Sequence, residues 1–190
     1  MPGDDPDTEF YPVDGDPDRA RELLEQAGYA DGFEVPCITS AKPELRQVLE
    51  LVAGQLADVG ITIQIQNLDS GTFNQTERTD FAHEMSLEDI SLAGPDADPT
   101  IYQFFHSAQD TYSNFSDPEL DELLVEARVA TDFDTRNEFY RQAMQIVYEA
   151  SPMLYLTHPR QIYLLHPNLA GFRPGRTEFN IYFDEMYWKA

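Results

Sequence analysis

The stretch from Phe33 to Gln66 limits the fold more than any other part of the chain. Phe33 to Thr39 is a short apolar run of strand composition, with Pro36 suited to an edge position or a bulge. Residues 43 to 59 then place Leu45, Val48, Leu49, Val52, Leu56 and Val59 on one helical face, and Gly60 ends the helix. Ile61, Ile63 and Ile65 alternate with Thr62, Gln64 and Gln66, the pattern of a half-buried strand. Strand, helix and strand in that order form a βαβ unit. Its two strands are expected to be parallel and its crossover right-handed, which commits the chain to the α/β class.

The flanking segments fit that class. Residues 1 to 16 are rich in Asp, Pro and Gly and read as a linker. Asp16 is placed to cap a helix with Pro17 at its first position, and Ala20, Leu23, Leu24 and Ala27 give it an apolar stripe up to Gly28. Gly71 to Thr79 reads as a short helix and Phe81 to Ile90 as an irregular strand. A turn-rich loop, Ser91 to Pro99, leads into a helical stretch from Thr100 to His106. The next helix is capped either by Ser116 with Glu119 in a capping box or by Asp117 ahead of Pro118; its core face is Leu120, Leu123, Leu124 and Ala127. Another helix begins near Asp134 and is expected to bury Phe139, Ala143, Ile146, Val147 and Ala150. Met153 to Thr157 and Gln161 to Leu165 read as strands separated by His158-Pro159, and Asn180 to Trp188 as a final strand.

Composition narrows the function classes. The 190 residues are 42% apolar and 12% aromatic, enough for a packed core. Against 12 basic residues stand 35 acidic ones, a net charge of −23 that repels nucleic acid and anionic lipid. The acids are dispersed, as on a solvated surface, rather than gathered in a binding patch. Dispersed acid with only two lysines, Lys42 and Lys189, resembles the proteins of salt-loving archaea. Molar salt cuts the Debye length to about 3 Å and screens such self-repulsion, so stability is expected to rise with salt. The single cysteine, Cys37, permits no intrachain disulfide and sits in an apolar strand pattern, where it reads as a small core residue. No apolar run approaches the length of a membrane span. The opening residues show no basic and apolar leader pattern, which says nothing about export if the chain is part of a longer one.

Catalytic and metal motifs are sparse. The histidines, His83, His106, His158 and His166, have no i, i+4 spacing, and no cysteine cluster accompanies them. No cofactor is expected: neither a phosphate-cradling glycine motif nor a G-x-S-x-G elbow occurs. Asp96 and Asp98 invite three readings. They could work as a carboxylate pair in a hydrolase; they resemble a calcium loop only weakly, lacking its glycine and terminal glutamate; or Asp98, ahead of Pro99, could cap the helix that follows. Tyr102, Phe104, Phe105, Tyr112 and Phe115 cluster nearby, Phe104 and Phe105 as core candidates, with Tyr112 and Asn114 placed in a loop that could line a cleft. A plain interaction module with an acidic surface is a further reading. From the residues alone the chain is an acidic α/β lobe.

Four ordered segments carry a resemblance. DGDPDRARELLEQAGYADGFEV is similar to D-P-x-x-A-x-x-L-L-x-x-A-G-Y-x-D-G-F, and QLADVGITIQIQNLD to Q-L-x-x-x-G-I-x-V followed by Asp. YSNFSDPELDELLVEAR is similar to Y-S-N-P-E-x-D-x-L-L-x-x-A-R, and ASPMLYLTHPRQIYLLHPNLAGF to a closing A-P-x-x-P-L segment ending V-x-G-F. Together they resemble the C-terminal region of extracellular solute-binding protein family 5, the oligopeptide, dipeptide and nickel-type receptors of ABC importers. The resemblance implies one lobe of a type II periplasmic-binding-protein fold, with βαβ units and flanking helices. It implies a linker or hinge at residues 1–16, a ligand-binding lobe at 17–160, and a segment at 161–190 returning toward a missing N-terminal lobe. It also implies an extracellular, cell-surface receptor, membrane-anchored in full-length form, that does no chemistry on its cargo and delivers it to a permease.

The family's loop W-x-x-D-Y-x-D-P aligns with Leu92 to Pro99. Leu92 stands at the Trp position, Pro95 at the Asp that can hold a peptide amino group, and Asp96 at the Tyr, while Asp98-Pro99 is kept. The implied ligand-binding residues are Leu92, Gly94, Pro95, Asp96, Asp98, Tyr112 and Asn114. The altered loop leaves peptides, sugars, nickel complexes and other cationic solutes open as cargo.

Overall fold

The computed structural model describes residues 15–91, 96–109, 112, 114–157, 160–175 and 180–189. The chain forms two compact units, the first running to Ile90 and the second starting at Ser91.

In the first unit the expected βαβ core is present. Strand β1 (Phe33–Ser40), helix α2 (Pro43–Ala57) and strand β2 (Ile61–Leu68) are preceded by α1 (Pro17–Gln26) and followed by α3 (Ser70–Arg78) and β3 (Met85–Leu87). The sheet order is β2-β1-β3. Both pairings are parallel, β1 with β2 from Phe33↔Ile61 to Ser40↔Leu68 and with β3 from Cys37↔Met85 to Thr39↔Leu87. Two glycines set the start of the long ladder. Gly32 (φ +74°) and Gly60 (φ +95°) turn the chain so closely that a Cβ on Gly32 would stand 2.0 Å from the Gly60 carbonyl oxygen. That same oxygen accepts the Phe33 N–H at 3.1 Å. Helix α2 buries Leu45 and Leu49, with Val48, Val52 and Leu56 half-buried beside them.

Three readings of this unit change. Pro36 lies in the central strand, not on an edge. Phe33 donates toward β2, so by alternation the backbone of Pro36 faces the other side, where pairing with β3 begins only at Cys37. The missing N–H therefore costs no ladder bond. The strand expected over Phe81 to Ile90 shrinks to three residues, because Phe81 sits at φ +46°, outside the β region. Helix α1 forms as capped, Asp16 accepting the Arg19 N–H at 2.9 Å, yet it buries no residue and its Leu23 stays half exposed.

The second unit packs α4 (Asp98–Phe105), α5 (Pro118–Val129) and α6 (Phe133–Ala150) around Phe104, Phe105, Leu120, Leu124, Ala127, Tyr140, Ala143 and Val147. Asp117, not Ser116, caps α5, accepting the Leu120 N–H at 3.0 Å. Asp132 caps α6 through the Thr135 N–H at 2.8 Å. Tyr140 joins Ala143 and Val147 in the buried stripe of α6, whereas Ala150 is exposed.

The C-terminal strands are mostly absent among the described residues. Met153 to Thr157 and Gln161 to Leu165 carry no ladder. The expected final strand reduces to a Pro174↔Ile181 bridge and to β5 (Tyr187–Trp188), antiparallel to β4 (Leu169–Ala170). The apolar runs have strand composition but no partner strand among the described residues, and Ile162 and Leu164 are 85% and 96% exposed. His158 and Pro159 lie outside the described residues.

Candidate ligand-binding site

The start of α4 is held by two arginines. Asp96 accepts the Asp98 N–H at 2.9 Å through Oδ1. Arg136, in the first turn of α6, donates from Nη2 to Asp96 Oδ1 at 2.7 Å and from Nη1 to Oδ2 at 2.9 Å. Its Nε donates to the Ala127 carbonyl at 3.0 Å and its Nη2 also to the Tyr140 hydroxyl at 3.2 Å. Arg128, in the last turn of α5, makes the second fork, from Nε and Nη2 to Asp98 Oδ1 and Oδ2 at 2.9 and 3.0 Å. Its guanidinium lies 3.6 Å from the Tyr102 ring centre, and Tyr102 stacks on His106 at 4.2 Å. Asp98 is thus the first residue of α4 rather than its cap, and its carboxylate serves Arg128.

These bonds decide the chemistry available. Hydrogen bonds from Arg136, then from the Asp98 N–H, hold the Asp96 carboxyl below the usual carboxylate range. Asp96 in turn raises Arg136, and Asp98 raises Arg128. A hydrolase working with this pair needs one carboxyl pushed up so that it can deliver a proton. The shift at Asp96 runs the other way, and bidentate guanidinium contacts occupy both carboxylates.

Tyr112 packs its ring edge-on against Phe104 at 4.6 Å, and Asn114 is exposed in the left-handed region at φ +52°. Phe104 lies six residues along α4 from Asp98, about 9 Å at 1.5 Å per residue. The aspartates and Tyr112 therefore belong to opposite ends of one short helix. Leu92, Gly94 and Pro95 lie outside the described residues. A depression nearby, lined by His106, Asp121, Glu122, Val125 and Glu126, is open to solvent and does not enclose a small molecule. Among the described residues no group of three or more His, Cys, Asp or Glu side chains is placed to hold a metal. Cys37 is buried, and burial pushes its thiol up to about 11, as suits a core residue.

Sequence reading missed Arg128, Arg136 and Tyr140, and saw Tyr102 only as one of the clustered aromatics. One signal was present: a cation in the first turn of a helix opposes the helix dipole, so Arg136 needed a carboxylate from elsewhere.

The fold is one α/β lobe of the type II periplasmic-binding-protein class. It superposes on an oligopeptide-binding protein of clavulanic acid biosynthesis with a TM-score of 0.86, at 24% identity, over 100% of this chain and 37% of that one. Against a Pseudoalteromonas dipeptide-binding protein solved with Met-Leu the TM-score is 0.81, at 23% identity, over 98% of this chain and 38% of that one. The chain belongs to family 5 of the bacterial extracellular solute-binding proteins, whose middle-region model matches residues 1–112. It is 27% identical to heme-binding protein A of Haemophilus influenzae over 172 residues, 85% of this chain and 30% of that protein. The chain thus spans about a third of the length of the curated relatives it matches. No described helix is long and apolar enough to cross a membrane.

Proposed function

We propose that this chain is one ligand-binding lobe of a solute receptor that presents its cargo to an ABC-type permease without altering it. The family match over residues 1–112 carries this reading. In the proposal the lobe works with an N-terminal lobe supplied by a longer polypeptide, closing on the solute by a hinge motion. Residues 1–16 act as the hinge segment, 17–160 as the binding lobe, and 161–190 as the segment that returns to the other lobe. The exposed Leu154, Ile162, Leu164, Phe183 and Trp188 support this, since apolar surface of that extent fits a covered interface. The full-length receptor works outside the cell, anchored to the membrane.

The proposed ligand-facing residues are Leu92, Gly94, Pro95, Asp96, Asp98, Tyr112 and Asn114. With Asp96 and Asp98 engaged by arginines, their part is to fix the start of α4, and Tyr112 and Asn114 make the direct contacts in this proposal. Short peptides lead as cargo, because the Pseudoalteromonas relative was solved with a dipeptide; the heme-binding relative keeps other small solutes in view. The test is peptide-library binding to the full-length receptor with Tyr112→Ala and Asn114→Ala. Each is expected to weaken affinity about tenfold or more, the scale of one lost contact of ~1.4 kcal/mol. Unchanged affinity in both variants removes these residues from the site.

A further inference from the structure

A buried charge cluster in the first unit plays no part in the proposed site. Glu77, on α3, is 1% exposed, and Glu88, directly after β3, is 11% exposed. Arg78 reaches both, with Nη2 2.5 Å from Glu88 Oε2 and Nε 3.4 Å from Glu77 Oε2. Among the described residues, Glu88 Oε1 is buried and accepts no hydrogen bond, and in the connection from α3 to β3 the His83 Nδ1 is also buried without a partner.

Among the described residues two carboxylates thus share the Arg78 guanidinium, which leaves one negative charge in excess. A buried charge without its own partner is costly, and a carboxyl escapes that cost by keeping its proton. Around Glu88 the charged groups are Glu77 and Arg78 from α3 and the adjacent Asp89, which Lys42, just ahead of α2, holds at 2.5 Å. Burial first, then repulsion from Glu77 and Asp89, pushes the Glu88 carboxyl up to about 7 against the pull of Arg78.

The cluster sits where the sheet is weakest. Strand β3 pairs with β1 over only three residues. Beyond that ladder, its end is held by the Thr39 hydroxyl donating to the Leu87 carbonyl at 2.9 Å and by Arg78 on Glu88. We propose that Glu77, Arg78 and Glu88 form a proton-operated latch: with Glu88 protonated the cluster carries no excess buried charge and edge strand β3 stays packed on α3, and loss of that proton sets two carboxylates on one guanidinium and loosens the strand. The folded state holds this proton more tightly than the unfolded chain does. The stabilisation is therefore complete below the ordinary carboxylate range and is lost as pH rises through about 7.

The test is a titration of the 190-residue chain with carbon-13-labelled glutamate carboxyls, with hydrogen exchange of the amides from Met85 to Asp89 read alongside. E88Q, which mimics the protonated side chain, assigns the Glu88 signal. The expected results are a Glu88 midpoint near 7 and protection of the β3 amides that drops about tenfold or more from pH 5.5 to pH 8, after correction for intrinsic rates. In E88Q that drop disappears, and in E77Q the Glu88 midpoint moves down. A Glu88 midpoint near the ordinary ~4.3, a raised midpoint at Glu77 instead, or the same loss of protection in E88Q overturns the latch. If E88Q does not fold, the wild-type midpoint and exchange profile decide the matter alone.

Discussion

At the scale of single residues, the carboxylates most open to a functional reading are already engaged. Asp96 and Asp98 stand out in the sequence as a pair beside a proline. Their partners Arg136 and Arg128 come from 40 and 30 residues away, so no local spacing announces them. Removing Arg136 takes a donor from Asp96, the Ala127 carbonyl and Tyr140 together. Arg136→Ala is expected to cost about 2–3 kcal/mol in urea unfolding, more than the pair alone contributes. Because Asp96 is 43% exposed, the coupling in a double-mutant cycle with Asp96→Asn should be only about 1 kcal/mol and should shrink with salt. The depressed Asp96 carboxyl stabilises the fold above its unfolded range, and that part is lost as pH falls through its folded value. The acid side of the stability profile should therefore flatten in Asp96→Asn. A cycle showing no coupling at low salt contradicts this picture.

At the scale of elements, legibility followed periodicity. The βαβ core could be read because a 3.6-residue period and a two-residue period alternate across Leu45 to Ile65, and each names the face it buries. The C-terminal runs could not, since Leu154, Ile162 and Leu164 carry strand composition whether or not a partner strand is present. Tyr140 escaped notice because its hydroxyl suggests a surface, while its fully buried ring lies beneath Arg136. The central position of β1 gives a direct check. Cys37 is buried there and its thiol is pushed up to about 11, so it should react with iodoacetamide about a hundredfold or more slowly compared with a free thiol, until the sheet opens. Labelling at the free-thiol rate in the folded chain contradicts the central placement of β1.

At the scale of the whole molecule, two properties frame the function. The first is the net charge of −23. Its ion pairs are mostly exposed, so mutual repulsion outweighs local pairing in dilute buffer. The melting temperature should rise by several degrees between dilute buffer and molar KCl as the Debye length shortens to about 3 Å, and a flat or falling melting temperature contradicts that. The second is membership of a solute-binding family on a chain about a third as long as its curated relatives. Family membership was readable from four ordered segments. The ligand was not, because the resemblance, with Leu92, Pro95 and Asp96 read against the family's loop pattern, left several cargo classes open. In the proposed two-lobe receptor the ligand is held by contacts from both lobes, so half the surface should hold it far more weakly. The most direct test is calorimetry of a di- to pentapeptide library against the 190-residue chain and against the proposed two-lobe receptor. Saturable binding by the two-lobe receptor, with none detectable at millimolar peptide for the 190-residue chain, is the predicted result. Micromolar binding to the 190-residue chain alone, or no binding by either, contradicts it.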